Sequence, residues 1–125
     1  MYLIKRKDKF FTHVGLLINE ETILHYASKT NNMFSKNQEV RVSTLKEFSN
    51  GRKVFRSALN ENIDYKVIQQ NANLFKNNGK KYNFLTNNCI SFILSCLHGE
   101  NTISIYEMIK GMIKYKIVPL SFILN

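Results

Sequence analysis

Proline occurs once in this sequence, at position 119, and glycine only five times in 125 residues. With so few chain breakers there is no composition shift to mark a linker or a second domain. A hydrophobic content of 44% suits one compact core. No internal repeat is visible, and the richness in Asn and Lys falls in loops and on helix faces, where it reads as solvation. No run of about 18 apolar residues exists, so no transmembrane helix is expected. The longest apolar patch, Ile117 to Leu124, is short and carries Pro119. The N-terminal MYLIKRKDKF has a basic cluster with no long apolar stretch or small-residue cleavage site after it, so no secretory signal is expected. There are two cysteines, Cys89 and Cys96. On a helix they would sit two turns apart, roughly 10 Å, too far for a disulfide. Free thiols fit a reducing compartment and a cytoplasmic location.

Acidic residues are scarce as well, nine against 18 Lys plus Arg, for a formal net charge of +9. Such a surface serves solvation, attraction to anionic phospholipid headgroups, or nucleic-acid binding. The charges are dispersed as Lys5, Arg6, Lys7 and Lys9, then Arg52, Lys53 and Arg56, then Lys76, Lys80 and Lys81, and finally Lys110, Lys114 and Lys116. No RNA-binding or helix-turn-helix signature accompanies them, so nucleic acid is the least favoured partner.

Phe11 to Ile18 and Thr22 to Ser28 are rich in β-branched and aromatic residues and flank Asn19-Glu20-Glu21, the pattern of a β-hairpin. Glu39 to Ser43 and Arg52 to Ser57 read as two more strands. Between them TLKEFSNG resembles a helical turn closed by Asn50-Gly51. From Asn62 to Asn78 the spacing of Ile63, Val67, Ala72 and Phe75 predicts a helix capped by Gly79. A second helix opens at Asn88 and runs through Leu97 to Gly99. A third spans about Ile103 to Lys116 before Pro119. Strands first and helices later predict an α+β class.

The hairpin carries two histidines. With a loop at Asn19 to Glu21, Ile18 pairs with Thr22, His25 lies opposite Gly15, and His13 opposite Ala27. Both imidazoles then share one sheet face as diagonal neighbours, about 7–8 Å apart at Cβ. A loop one residue shorter would put them on opposite faces. Small residues, Gly15 and Ala27, leave room beside the rings. Two histidines on a strand pair are more often packing than catalysis, so the weight falls on Cys89. It follows Asn87-Asn88, and Asn is a favoured N-cap. A cysteine in a first helical turn has the helix dipole and free backbone amides to favour its thiolate and to hold an oxyanion. A thiolate there, facing the two strand histidines, suits covalent catalysis, with a small buried hydrophobe as the plainer reading of Cys89. Cys96, among Ile93, Leu94 and Leu97, reads as core. His98 reads as a complement to a helix C-terminus. The spacing of these residues matches no usual zinc pattern, so neither a metal nor a cofactor is expected.

His13-Val14-Gly15 on one strand, His25 twelve positions on, and Tyr82 to Cys89 (YNFLTNNC) entering a helix together resemble the lecithin:retinol acyltransferase family. That family includes small phospholipase/acyltransferases and belongs to the wider NlpC-type, circularly permuted papain-like superfamily. The resemblance spans roughly Phe10 to Leu97 and includes an Asn-Cys-x-x-Phe stretch, Asn88 to Phe92. It implies an antiparallel sheet with the cysteine helix packed on it, Cys89 as nucleophile, His13 as base and His25 as third polar residue. It also implies cleavage of a phospholipid acyl ester through a thioester, with the acyl group passed to water, an alcohol or an amine. Where many members carry a Glu-His pair after the cysteine, this chain has Ile90-Ser91. Mammalian relatives often end in a membrane-anchoring helix, which is not expected here.

The expected organisation is one catalytic domain over residues 1–125, with 102–125 a C-terminal helical extension. Within that extension ISIYEMIKGMIKYKIV reads as a helix packed over the core, or as a basic amphipathic helix in peripheral contact with an anionic membrane. Three functions stay open. One is a lipid acyl hydrolase or acyltransferase with a phospholipid or other acyl ester as substrate. Another is a cysteine peptidase or amidase acting on peptide or isopeptide bonds, served by the same constellation. The last is a catalytically idle domain that binds lipid or a protein. A histidine as third residue, with no export signal, favours the lipid branch.

Overall fold

A computed structural model describes residues 1–8, 12–29, 35–59, 63–83, 87–99 and 103–117. Five strands precede three of the four helices: β1 Tyr2–Lys7, β2 Thr12–Leu17, β3 Thr22–Ala27, β4 Glu39–Thr44, α1 Leu45–Ser49, β5 Val54–Ala58, α2 Tyr65–Lys76, α3 Cys89–His98 and α4 Ile105–Tyr115. The strands form one antiparallel sheet in the order β4-β3-β2-β1-β5. The class is α+β, an antiparallel sheet packed against helices, as the order of sequence patterns predicts.

Alternation along the strands splits the buried residues into two layers. Leu3, Val14, Leu16, Leu24 and Tyr26 face α2 and α3, where Ile68, Ala72, Phe75, Phe92, Ile93 and Cys96 close the main core. Ile4, Leu17 and Ile23 face the other way and are covered by Phe48 of α1. That short helix is fixed at both ends: Thr44 and Glu47 form a reciprocal capping box, and Asn50 adopts the left-handed conformation. The predicted turn at TLKEFSNG is thus present.

Strand β1 is absent from the sequence reading, which takes Lys5, Arg6 and Lys7 as basic surface. It lies inside the sheet between β2 and β5, and Arg6 is 1% exposed. Boundaries elsewhere move by one to three residues within the described chain. The helix expected from Asn62 begins after the N-cap Asp64 and ends at Asn77, not Gly79. Its buried stripe is Ile68, Ala72 and Phe75, while Val67 is exposed, so the register is one residue off at that point. Asn62 lies outside the described residues, as do Phe10, Phe11, Phe84 to Thr86 and Pro119. The last helix ends on Lys116 in the left-handed conformation.

Gly15 sits at the closest approach of the second layer. A Cβ there would lie 2.7 Å from Ile23 Cγ2 and 3.2 Å from both His25 Cβ and Phe48 Cε2. Gly15→Ala is therefore expected to destabilise the fold by about 1–3 kcal/mol, the usual cost of overpacking a filled core. A lower denaturant midpoint with an unchanged m-value checks it.

Candidate active site

The hairpin loop has the odd length the sequence reading requires. Ile18 N–H donates to Thr22 O at 2.9 Å, and β2 pairs with β3 as Gly15↔His25, Leu16↔Leu24 and Leu17↔Ile23. The two histidines therefore share a face. His13 Nε2 and His25 Nδ1 stand 2.9 Å apart, both rings buried. The chain of contacts continues from His25 Nε2 to Ser43 Oγ at 2.7 Å. Ser43 lies opposite Ile23 on β4 and so is a diagonal neighbour of His25. Two tautomer sets satisfy these contacts. In one, His13 Nε2–H donates to His25 and His25 Nε2–H donates to Ser43, which leaves the His13 Nδ1 lone pair open. In the other every proton moves one place. His13 Nδ1 itself is buried without a hydrogen-bond partner.

The room that Gly15 leaves is filled. Phe48 stacks on His13 at 5.3 Å between centroids, with an interplanar angle of 28°. It meets His25 edge-on at 5.3 Å and 74°. This clamp restricts both rings to one orientation each. Behind it stands Arg6, directly opposite His13 across β1 and β2. Its guanidinium pairs with Asp8 through two contacts of 2.8 Å, donates to Phe48 O at 2.7 Å, and lies 5.6 Å from the Phe48 ring centroid. Arg52 reaches the same Asp8 carboxylate at 3.5 Å.

Cys89 is the first residue of α3, with Asn88 as N-cap. The β2–β3 ladder stops at Gly15, so the His13–Ala27 pair of a continuous ladder does not form. By the alternation that sends Ile18 N–H to β3, Val14 N–H should also point there. With the ladder open at that point, it donates instead to the Cys89 sulfur. The thiol lies on the helix face of the sheet with Val14, whereas the His13 and His25 rings lie on the opposite face against Phe48. No hydrogen bond joins Cys89 to His13 Nδ1, so the expected facing of thiol and histidines is not formed here. The phenol of Tyr82 is close enough for a Cys89 thiolate to oppose its ionisation. Burial chiefly, with Cys89 and Tyr26 behind it, pushes Tyr82 up to about 12.

The helix start offers fewer amides than expected. Asn88 Oδ1 accepts from Ile90 N–H at 3.0 Å and Ser91 N–H at 3.1 Å, and Phe92 N–H is bonded to Asn88 O. Among the described residues Cys89 N–H has no backbone acceptor, and together with Ile90 N–H it acts on the Cys89 sulfur. Ser91 completes the cap by accepting from Asn88 N–H at 2.8 Å, so the Ile90-Ser91 departure is used to build the helix start. Cys96 is fully buried in the core and His98 is exposed in the last turn of α3. Among the described residues no three His, Cys, Asp or Glu side chains stand together as metal ligands.

Burial dominates the charges here. It pushes the Cys89 thiol up to about 11, against the pull of Val14 N–H, the Arg6 charge and the Cys89 and Ile90 amides. The thiolate expected at a helix start is therefore outweighed by desolvation in the resting site. Burial likewise holds His13 well below 6.5, helped by His25 and Arg6. His25 falls to about 4 through burial and then Arg6 and Arg41, with Glu47 opposing. At rest the Cys89 thiol and both imidazoles are neutral.

This has a pH signature. Below the ordinary histidine value of 6.5 the unfolded chain takes up protons that the folded chain refuses, so stability falls as pH drops towards 4. Above 9.0 the unfolded chain loses thiol protons that folded Cys89 keeps until about 11, so stability falls again. Thermal unfolding is expected to show a plateau between these limits. On the acid side His25 alone should cost ~3 kcal/mol by pH 4, and His25→Gln should flatten that limb.

No curated protein and no solved structure matches the chain. The family model described as lecithin retinol acyltransferase matches residues 1–102, which hold the whole sheet, the histidine pair, Cys89 and α3. On that match the chain belongs to the lecithin retinol acyltransferase family.

Proposed function

We propose that this protein is a cysteine-dependent acyltransferase or acyl hydrolase that takes acyl groups from phospholipid esters through a thioester on Cys89. The observation that carries the reading is the 2.9 Å contact between His13 Nε2 and His25 Nδ1. It leaves His13 Nδ1 as the unpartnered ring atom, and the reading requires substrate binding to bring the Cys89 thiol, which lies beside Val14 on the helix face, within reach of it. Family membership supports acyl transfer as the chemistry. The permuted papain-like relation, histidine strands before the cysteine helix, belongs to the same proposal.

The steps follow from the neutral resting site. A bound ester displaces the proton of Cys89 Sγ to His13 Nδ1 as sulfur attacks the carbonyl carbon. The imidazolium that forms keeps Nε2–H donated to His25 Nδ1, and His25, neutral down to about 4, can accept it. The oxyanion is held by Cys89 N–H. Collapse breaks the carbon–oxygen bond, and the leaving alkoxide takes the proton from His13 Nδ1. Water, an alcohol or an amine then attacks the thioester and gives its proton to His13, which returns it to the sulfur. Arg6 raises the cost of imidazolium and lowers that of thiolate, a balance that keeps the ion pair brief.

Intact mass after incubation with mixed phospholipid vesicles tests the reading. The wild type is expected to gain a fatty-acyl mass that hydroxylamine removes, and Cys89→Ala to gain none. His13→Asn is expected to acylate about 10²–10⁴-fold more slowly. If no adduct forms and Cys89 alkylates no faster than Cys96, the reading fails. If no adduct forms while Cys89 still alkylates unusually fast, an activated thiol serves peptide or isopeptide bonds instead.

A further inference from the structure

Helix α4 lies beyond residue 102, where the family match ends, so its surface belongs to this chain and not to the shared domain. Its inward side is accounted for. Met108 and Gly111 are buried, and a Cβ at Gly111 would stand 2.7 Å from Leu94 Cδ2 of α3. Met108 Sδ accepts from Asn88 Nδ2 at 3.5 Å, so α4 touches the residue that caps the nucleophile helix. Lys5 Nζ donates to Tyr115 O and Lys116 O at 3.4 Å each and fastens the other end to β1.

A second apolar stripe on the same helix is exposed among the described residues. Ile105 is 55% exposed, Tyr106 70%, Ile109 49% and Ile113 65%. At about 100° per residue these four fall within one arc of about 100°, beside the buried stripe. Lys110 and Lys114 follow on the far side of that arc. Lys110 Nζ lies 5.3 Å from the Tyr106 ring centroid, and Lys114 Nζ lies 5.1 Å from that of Tyr115. Lys116, the left-handed cap after the helix, adds a further exposed cation at that end. Glu107 is the acidic residue of the helix. Isoleucines and a tyrosine flanked by lysines, on a chain of net charge +9, are complementary to an anionic surface with an apolar interior. They are not complementary to a second copy of the same basic face.

We infer that the exposed face of α4 docks on an anionic phospholipid surface, with Ile105, Tyr106, Ile109 and Ile113 entering the headgroup boundary and Lys110, Lys114 and Lys116 meeting lipid phosphates. The inward contact of Met108 with Asn88 makes α4 adjoin the start of α3, so a docked α4 holds that helix start within one helix diameter of the lipid surface. The docking itself does not rest on the acyl-transfer reading, because it needs no chemistry at Cys89.

Flotation of the full chain with vesicles tests it. Phosphatidylcholine vesicles containing phosphatidylserine are expected to carry the protein at low salt, and pure phosphatidylcholine to carry much less. Substituting two exposed positions together, Ile109→Ser with Ile113→Ser, is expected to weaken binding about tenfold or more. Lys110→Glu with Lys114→Glu is expected to remove the preference for anionic lipid. Cys89→Ala should float like the wild type, which separates docking from capture in the active site. The chain has no tryptophan, so Tyr106→Trp adds a lone reporter whose emission should shift to the blue on adding anionic vesicles. Equal flotation by the serine variant, or an unmoved indole emission in the Tyr106→Trp variant, overturns the inference. A dimer that the serine substitutions dissociate, without vesicle binding, overturns it in favour of self-association.

Discussion

Two imidazoles 2.9 Å apart can share one proton along their contact but cannot both be charged. That limit organises the site. It requires both rings on one face, which requires an odd loop between β2 and β3. It requires the rings to be held still, which Phe48 does by stacking on one and meeting the other edge-on. Phe48 in turn fits only because position 15 has no Cβ. With Arg6 opposite His13 and Ser43 beyond His25, the pair is enclosed by groups that disfavour positive charge on it or accept its hydrogen bond. A break in any of these supports would show first in the imidazoles, because they sit where all of them meet.

Cys89 meets the sheet where the β2–β3 ladder is open, on the helix face beside Val14. Val14 N–H, which a longer ladder would have bonded to β3, points to the Cys89 sulfur. The sheet therefore loses a backbone hydrogen bond and gains a donor for a sulfur anion. A similar exchange occurs at the helix start, where Asn88 takes the Ile90 and Ser91 amides and leaves that of Cys89. In the resting site desolvation wins over these donors, and the thiol stays protonated until a substrate supplies somewhere for the negative charge to go.

Much of this is legible in the sequence because it is local. Loop parity sets the face of each histidine, Asn88 announces the start of α3, and Asn50-Gly51 announces the end of α1. What escapes depends on distant partners. Lys5-Arg6-Lys7 looks like surface charge, since nothing near it in sequence reveals that Phe48, 42 residues on, will cover the guanidinium that Asp8 pairs. Ser43 carries no signal, being one polar residue on a half-exposed strand. Phe48 reads as part of a turn, not as the ring clamping both histidines. The expectation of several free amides at the helix start is too high for a similar reason: the cap that identifies the start also consumes them.

At rest the contacts run from His13 through His25 to Ser43 between neutral rings, with His13 Nδ1 buried and unpartnered. Long-range proton–nitrogen correlation spectra of the imidazole rings, recorded across pH in the labelled protein, test this arrangement most directly. Both rings are expected to be neutral at pH 7 and protonated on Nε2, with His25 holding out until about 4. An imidazolium at His13 at pH 7, or a proton resident on its Nδ1, would contradict it.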